Sequence, residues 1–192
     1  MRPLFLLLPV LLASTAIAQQ PAKPIPILIE TSLGNIEAEL DSAHAPITVT
    51  NFLRYVDGHL FDKGEFFRAV TMANQPDNAV KIEVIQSRRA RGAAGGFPAI
   101  DLERTSLTGL RHLDGTLSMA RSGPNTARDQ FFVTIGAQPE LDFGGKRNAD
   151  GQGFAAFGQV TNGMSIVRAI QTGAVNAQNL VTPIEILRII RR

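Results

Sequence analysis

Few residues in this 192-residue chain are equipped for chemistry, and most of those are neutral. Cysteine is absent, which excludes thiolate nucleophiles, disulfides, Cys zinc sites and Cys-ligated iron–sulfur clusters together. His44, His59 and His112 lie far apart, and none stands near a serine in a nucleophile-elbow context, so each reads as a surface or loop residue. There is no HExxH motif. Gly144-Gly145-Lys146-Arg147 fails as a phosphate loop, because Glu140 stands where its first glycine belongs and Arg147 where Ser or Thr belongs. Gly151-Gln152-Gly153-Phe154 lacks the third glycine of a dinucleotide fingerprint. No metal and no cofactor is expected. What stands out instead is neutral or singly charged. Phe66-Phe67-Arg68 comes first, followed by Gly115 to Thr126 (GTLSMARSGPNT) and Gln130-Phe131-Phe132. Leu141-Asp142-Phe143-Gly144-Gly145 and Gly153 to Val160 (GFAAFGQV) complete the set.

Short strands and two helices must position these groups. Ile27 to Leu40 reads as a hairpin turning at Thr31-Ser32-Leu33-Gly34, with Ile36, Ala38 and Leu40 alternating against Glu37 and Glu39. Pro46 opens a helix whose stripe is Val49, Phe52, Leu53 and Val56, and Gly58 can close it. Further strands are expected at Glu65–Val70, Val80–Ile85, Gly115–Met119 and Gln130–Ile135. A second helix fits Met164–Ile170, and Pro183–Ile190 is a β-branched closing strand. The pattern is mostly antiparallel β, a barrel or a sandwich. Arg88-Arg89-Ala90-Arg91 with the Gly/Ala run to Gly96 has no interleaved aromatics, so it reads as a solvated flexible loop.

Hydrophobic residues make up 44% and charged residues 19%, enough for a core, and a formal charge of +2 argues against nucleic-acid partners. Residues 1–18 combine Arg2, an apolar run from Leu4 to Leu12 and Ala16-Ile17-Ala18, the pattern of a cleavable secretory signal. The run is shorter than the ~20 residues that cross a bilayer, so no stable membrane insertion is expected after cleavage. Residues 19–26 carry three prolines and read as an extended lead-in, and residues 27–192 as one domain. Export from the cytoplasm is expected, and a monomer is expected because no apolar seam is evident.

At these segments the chain resembles the cyclophilin family of peptidyl-prolyl cis-trans isomerases, in its bacterial periplasmic branch. Five motifs fall in family order: TSLG, AP…NF, FFR, GTLSMARSGPNT…QFF and FAAFGQV. The resemblance implies a closed eight-stranded antiparallel β-barrel capped by two α-helices, with a proline-binding groove on its outer surface. It implies Arg68 as the catalytic residue and Phe132 as the floor of the proline pocket, with Leu141 beside it and Met72 as a lesser contact. Gln130 and, across a one-residue gap, Gln75 match the family's substrate-binding glutamines. Ala120 and Arg121 match the edge that pairs with the substrate residue before proline, and Phe154 falls where many members carry His or Tyr. After FFR the family continues Pro-Gly-Phe-Met-x-Gln-Gly-Gly, whereas residues 71–78 read TMANQPDN. Glu140 replaces the family's aromatic before Leu141, so weak or no cyclosporin binding is expected. The implied partners are Pro-containing segments of folding proteins. A catalytically weak binding protein or holdase for such segments is the alternative, favoured by the altered 71–78 stretch.

Overall fold

A computed structural model describes residues 23–192; the expected signal segment at 1–18 and the first half of the expected lead-in lie outside the described residues. The chain runs β1 (Ile25–Thr31), β2 (Gly34–Leu40), α1 (Pro46–Asp57), β3 (Gly64–Val70), β4 (Val84–Arg88), α2 (Thr105–Thr108) and β5 (Thr116–Met119). It continues with β6 (Phe131–Thr134), β7 (Ala155–Asn162), α3 (Met164–Gln171), β8 (Val175–Asn176) and β9 (Asn179–Arg191). Eight strands pair antiparallel in the order β1-β2-β7-β5-β6-β4-β3-β9, and β9 returns to β1, so the barrel closes. β8 adds only a short hairpin to β9. The expected eight-stranded barrel is therefore present. The two expected helices are joined by α2, a single turn ended by Gly109 in the left-handed region.

Period-two alternation builds the interior. Ile36, Ala38 and Leu40 from β2 meet Leu117 and Met119 from β5, with Phe131 and Val133 from β6, in one buried core. α1 lays Val49, Phe52 and Val56 onto it, and Phe52 sits edge-on to Phe131 at 5.3 Å between ring centres. α3 adds Val167 and Ile170. Its entry needs Gly163, whose φ is +92°; a Cβ there would lie 2.4 Å from the Asn35 carbonyl oxygen.

Three local expectations change. β1 begins at Ile25, so the last two residues of the expected lead-in already belong to the barrel. The strand expected at Val80–Ile85 starts four residues later, at Val84. Its intended first half is captured by Gln75, which donates from Nε2 to the Ile82 carbonyl at 2.8 Å and accepts from the Ile82 N–H at 3.3 Å. Residues 71–83 are thus an excursion between two barrel strands. Finally, the basic 88–96 stretch is not simply solvated. Arg88 ends β4 and pairs with Glu65, while buried Arg89 donates to the carbonyls of Leu60, Ala94 and Gly95 and so shapes the loop.

Neighbours on β6 face opposite ways, Phe131 into the core and Phe132 into a separate small cluster. Phe131→Ala should cost about 3–5 kcal/mol. Urea denaturation of Phe131→Ala and Phe132→Ala should show the larger loss for the former; equal losses would contradict this division of faces.

Candidate active site

A single extra residue in β3 sets up the site. Phe66 pairs with Ser87 of β4 and Arg68 with the next residue, Gln86, leaving Phe67 as a bulge. Phe66 is fully buried in the core, so strict alternation would send Arg68 inward as well. The bulge reverses the parity: Ala69 returns to the core, while Arg68 and Val70 face outward. Outside the barrel wall, Val70, Ile82, Val84, Phe132 and Leu141 form the second apolar cluster, with Ala120 and Phe154 packed against it. A cavity of about 230 Å³ opens on this cluster, lined also by Arg68, Gln86 and Arg121. That is below the roughly 300–1,000 Å³ of pockets that enclose drug-sized ligands, and it fits one side chain.

Arg68 is held only by neutral acceptors. Nε and Nη2 donate to Gln178 Oε1, the former at 3.0 Å, and Nη1 donates to Gln86 Oε1 at 2.8 Å. Of its five N–H groups, one on each terminal nitrogen remains for another acceptor. Burial, and then the positive charge of Arg147, lower its pKa from the ordinary arginine value, yet it stays protonated at neutral pH. Because Arg68 can only donate, Gln86 must turn its oxygen toward it. Gln86 Nε2 is then left to donate to Gln130 Oε1 at 2.9 Å, and the Gln130 amide nitrogen is left facing outward as a donor. Gln178 in turn donates from Nε2 to the Asn74 carbonyl at 3.1 Å, so the excursion braces the arginine from behind.

Phe132 forms the floor and meets Phe154 edge-on at 5.4 Å. Phe154 belongs to a loop clamped by Arg121, whose Nη1 and Nη2 donate to Asp150 at 2.7 and 2.9 Å and whose Nε donates to the Gly153 carbonyl at 2.7 Å. The Arg121 guanidinium also lies 5.0 Å over the Phe154 ring. The hydrogen bond from Arg121 lowers the Asp150 pKa to about 2, so the clamp stays ionised down to strongly acidic pH. Gly153 has φ +65°, and a Cβ there would stand 2.5 Å from the Asp142 carbonyl carbon, which fixes glycine at this turn.

Arg68, Phe132, Ala120, Arg121, Leu141 and Phe154 therefore line one cavity, with Gln130 in the adjoining one and joined to it through Gln86, although the Arg121 side chain is committed to the loop. Two expectations are corrected. Met72 lies on an exposed 3₁₀ turn, away from the cavity lining, and Gln75 is buried, 1% exposed, with its amide spent on Thr71, Ile82 and Arg147. The β4 residues Val84 and Gln86 occupy the places assigned to them, since the excursion displaces the site strand by eleven positions for the glutamine. The pairing of Gln86 opposite Arg68 was discoverable only from register. Gln178, Arg147 and Asn148 were also missed.

His112 is likewise buried rather than superficial. Its Nδ1 lies 2.7 Å from Asp142 Oδ1, its Nε2 lies 2.9 Å from Ser118 Oγ, and its ring stacks behind Phe132 at 6.1 Å. A carboxylate only accepts, so Nδ1 donates to Asp142, and Nε2 shares a hydrogen bond with the Ser118 hydroxyl. Burial raises the Asp142 pKa, but His112 and Arg111 together outweigh it and the net direction is down. The connectivity is that of a hydrolytic triad, but Ser118 is fully buried and cannot meet a substrate. The group instead supports the pocket floor.

These placements separate two glutamines. Gln86→Ala should lower turnover about tenfold by loosening Arg68, the scale of one hydrogen bond to a charged group. Gln75→Ala should chiefly cost stability, about 1–3 kcal/mol, by stranding the Ile82 backbone groups. Kinetics and thermal melts of both variants check this; a larger kinetic loss in Gln75→Ala would reverse the assignment.

Comparison with known proteins gives the same reading. The family model described as cyclophilin type peptidyl-prolyl cis-trans isomerase/CLD matches residues 26–191. A peptidyl-prolyl cis-trans isomerase of Arabidopsis thaliana is 32% identical, with 91% of this chain and 96% of the relative aligned. Peptidyl-prolyl cis-trans isomerase A of Dickeya dadantii is 35% identical over 75% of this chain and 70% of its own. In fold, the chain matches the crystal structure of a Cryptosporidium parvum cyclophilin type peptidyl-prolyl cis-trans isomerase with a TM-score of 0.71 at 21% identity, covering 88% of this chain and 98% of that one. The chain belongs to the cyclophilin-type peptidyl-prolyl cis-trans isomerase family and is an enzyme of that class.

Proposed function

We propose that this isomerase serves exported proteins during folding, in the periplasm, with Arg68 as its catalytic residue. The observation that carries the site assignment is the outward-turned guanidinium of Arg68, held without a carboxylate beside an apolar notch floored by Phe132. An X-Pro bond rotates unaided in tens to hundreds of seconds, because the transition state gives up amide resonance. As the amide twists, the prolyl nitrogen regains a lone pair that the planar form had delocalised. A fixed donor aimed at that nitrogen binds the twisted state better than either planar state, which accelerates rotation without proton removal or a covalent intermediate. Phe132, Val84, Leu141 and Phe154 hold the ring. The free amide N–H groups of Gln130 face the substrate backbone, and the edge at Ala120 carries the residue before proline.

Neutral ligation of Arg68 matters to this chemistry. A carboxylate partner would compete for the N–H groups and for the charge that the twisted nitrogen must attract. Glutamine oxygens position the fork and leave its charge unspent. The binding-protein alternative rested on the altered 71–78 stretch, and that stretch stands outside the cavity while Gln86 and Val84 complete the site.

Location is read from residues 1–18, with their apolar run and Ala16-Ile17-Ala18 cleavage pattern. Glu140, half-buried beside Leu141 and accepting from the Lys146 N–H at 2.7 Å, leaves the pocket rim without an aromatic wall. Weak cyclosporin binding and a monomeric state follow as parts of this proposal.

Arg68→Ala should slow exchange of a proline peptide roughly ten- to a hundredfold, the worth of one charge-assisted bond of about 1.5–3 kcal/mol. Equal rates for wild type and variant would remove Arg68 from the mechanism. For export, the mature protein recovered from a periplasmic extract should begin at Gln19; recovery with Met1 intact would reject cleavage.

A further inference from the structure

A third guanidinium, beside those of Arg68 and Arg121, lines the proline cavity. Arg147 donates from Nη1 to Gln75 Oε1 at 2.9 Å and to the Val80 carbonyl at 2.6 Å, both in the 71–83 excursion. Its Nε and Nη2 groups meet no acceptor among the described residues. Asn148 lines the same cavity. Burial lowers the Arg147 pKa from the ordinary arginine value, and its charge is felt at Arg68.

Charge accounting around the cavity is one-sided. No Asp or Glu lines it. Of the three arginines that do, only Arg121 is neutralised, by Asp150. Glu140, on the same loop as Arg147, is turned to the Lys146 N–H. Asp129 lies in the adjoining cavity, 3.6 Å from Arg89. Arg68 and Arg147 therefore face one notch with five unused N–H groups between them and no counter-charge, in a partly desolvated setting where a carboxylate would be well received.

We propose that Arg147 is a specificity residue that receives an acidic side chain next to the substrate proline, making Asp- or Glu-flanked prolines the favoured substrates. Gln75 and the Val80 carbonyl act as its mounting, which gives the excursion a function in substrate choice. The proposal rests on the isomerase reading of the same cavity. A carboxylate adjacent to the proline would meet Arg147 while the ring sits on Phe132, leaving Arg68 for the amide.

The test compares kcat/KM for three proline peptides that differ only in a flanking Glu, Ala or Lys, at low and at about 1 M salt, where screening acts within ~3 Å. The wild type should prefer Glu over Ala about three- to tenfold, the scale of one partly screened charge-assisted contact. Lys should rank below Ala, and high salt should collapse the series. In Arg147→Ala the Glu-to-Ala ratio should fall to about one, and Arg147→Lys should restore part of it. A wild-type ratio of one, a ratio that survives in Arg147→Ala, or one indifferent to salt would overturn the proposal. If the Ala peptide is accelerated while the series is flat, only this inference fails. If no peptide is accelerated, the isomerase reading fails with it.

Discussion

An inward-facing strand position cannot present a charge to substrate, and Phe66, two residues before Arg68, is fully buried. The bulge at Phe67 resolves that conflict by shifting the alternation once, between the core residues Phe66 and Ala69. The same irregularity opens the pairing with β9, where Phe66 lies opposite Ile184 but Arg68 opposite Asn179. Gln178 can therefore reach the guanidinium from one side while Gln86 holds it from the other. The outward placement of the Arg68 guanidinium follows from where one extra residue is inserted in a ladder.

From that arginine the polarity of the groove propagates. A guanidinium has no acceptor, so each amide around it has a determined orientation, ending in an outward donor on Gln130. A second polar chain, Asp142–His112–Ser118, lies behind the floor, and its ring is stacked on Phe132. The front chain borders the cavity and the rear chain backs its apolar surface. The rear chain is buried and the front chain half-buried, and both are built from hydrogen bonds that favour a single arrangement.

Much of this was legible in the chain itself. Alternation in β2, the apolar stripe of α1 and the ordered motifs from FFR to FAAFGQV led to the barrel and to Arg68, Phe132, Gln130, Leu141 and Phe154. What was not legible depended on register. Residues 71–83 carry Met72 and Gln75 at near-matching distance from Arg68, and nothing local reveals that the chain leaves the barrel there. The side chain of Gln75 mimics a strand partner for Ile82, a device invisible to periodicity. His112 looked superficial because its partners, Ser118 and Asp142, are separated from it by different distances along the chain. Gln178 and Arg147 reach the site from β8–β9 and from a loop, and only the fold brings them to it.

The central claim is that a prolyl ring rests on Phe132 with its amide beneath Arg68. Intermolecular NOEs between a labelled Xaa-Pro peptide and the enzyme measure this directly. The account predicts contacts from the prolyl ring protons to the Phe132 and Phe154 rings and to the Val84 methyls. The barrel has a second groove, lined by Leu40, Leu110 and Leu113, that could also accept an apolar ring. Prolyl contacts confined to that groove, with Phe132 silent, would contradict the account.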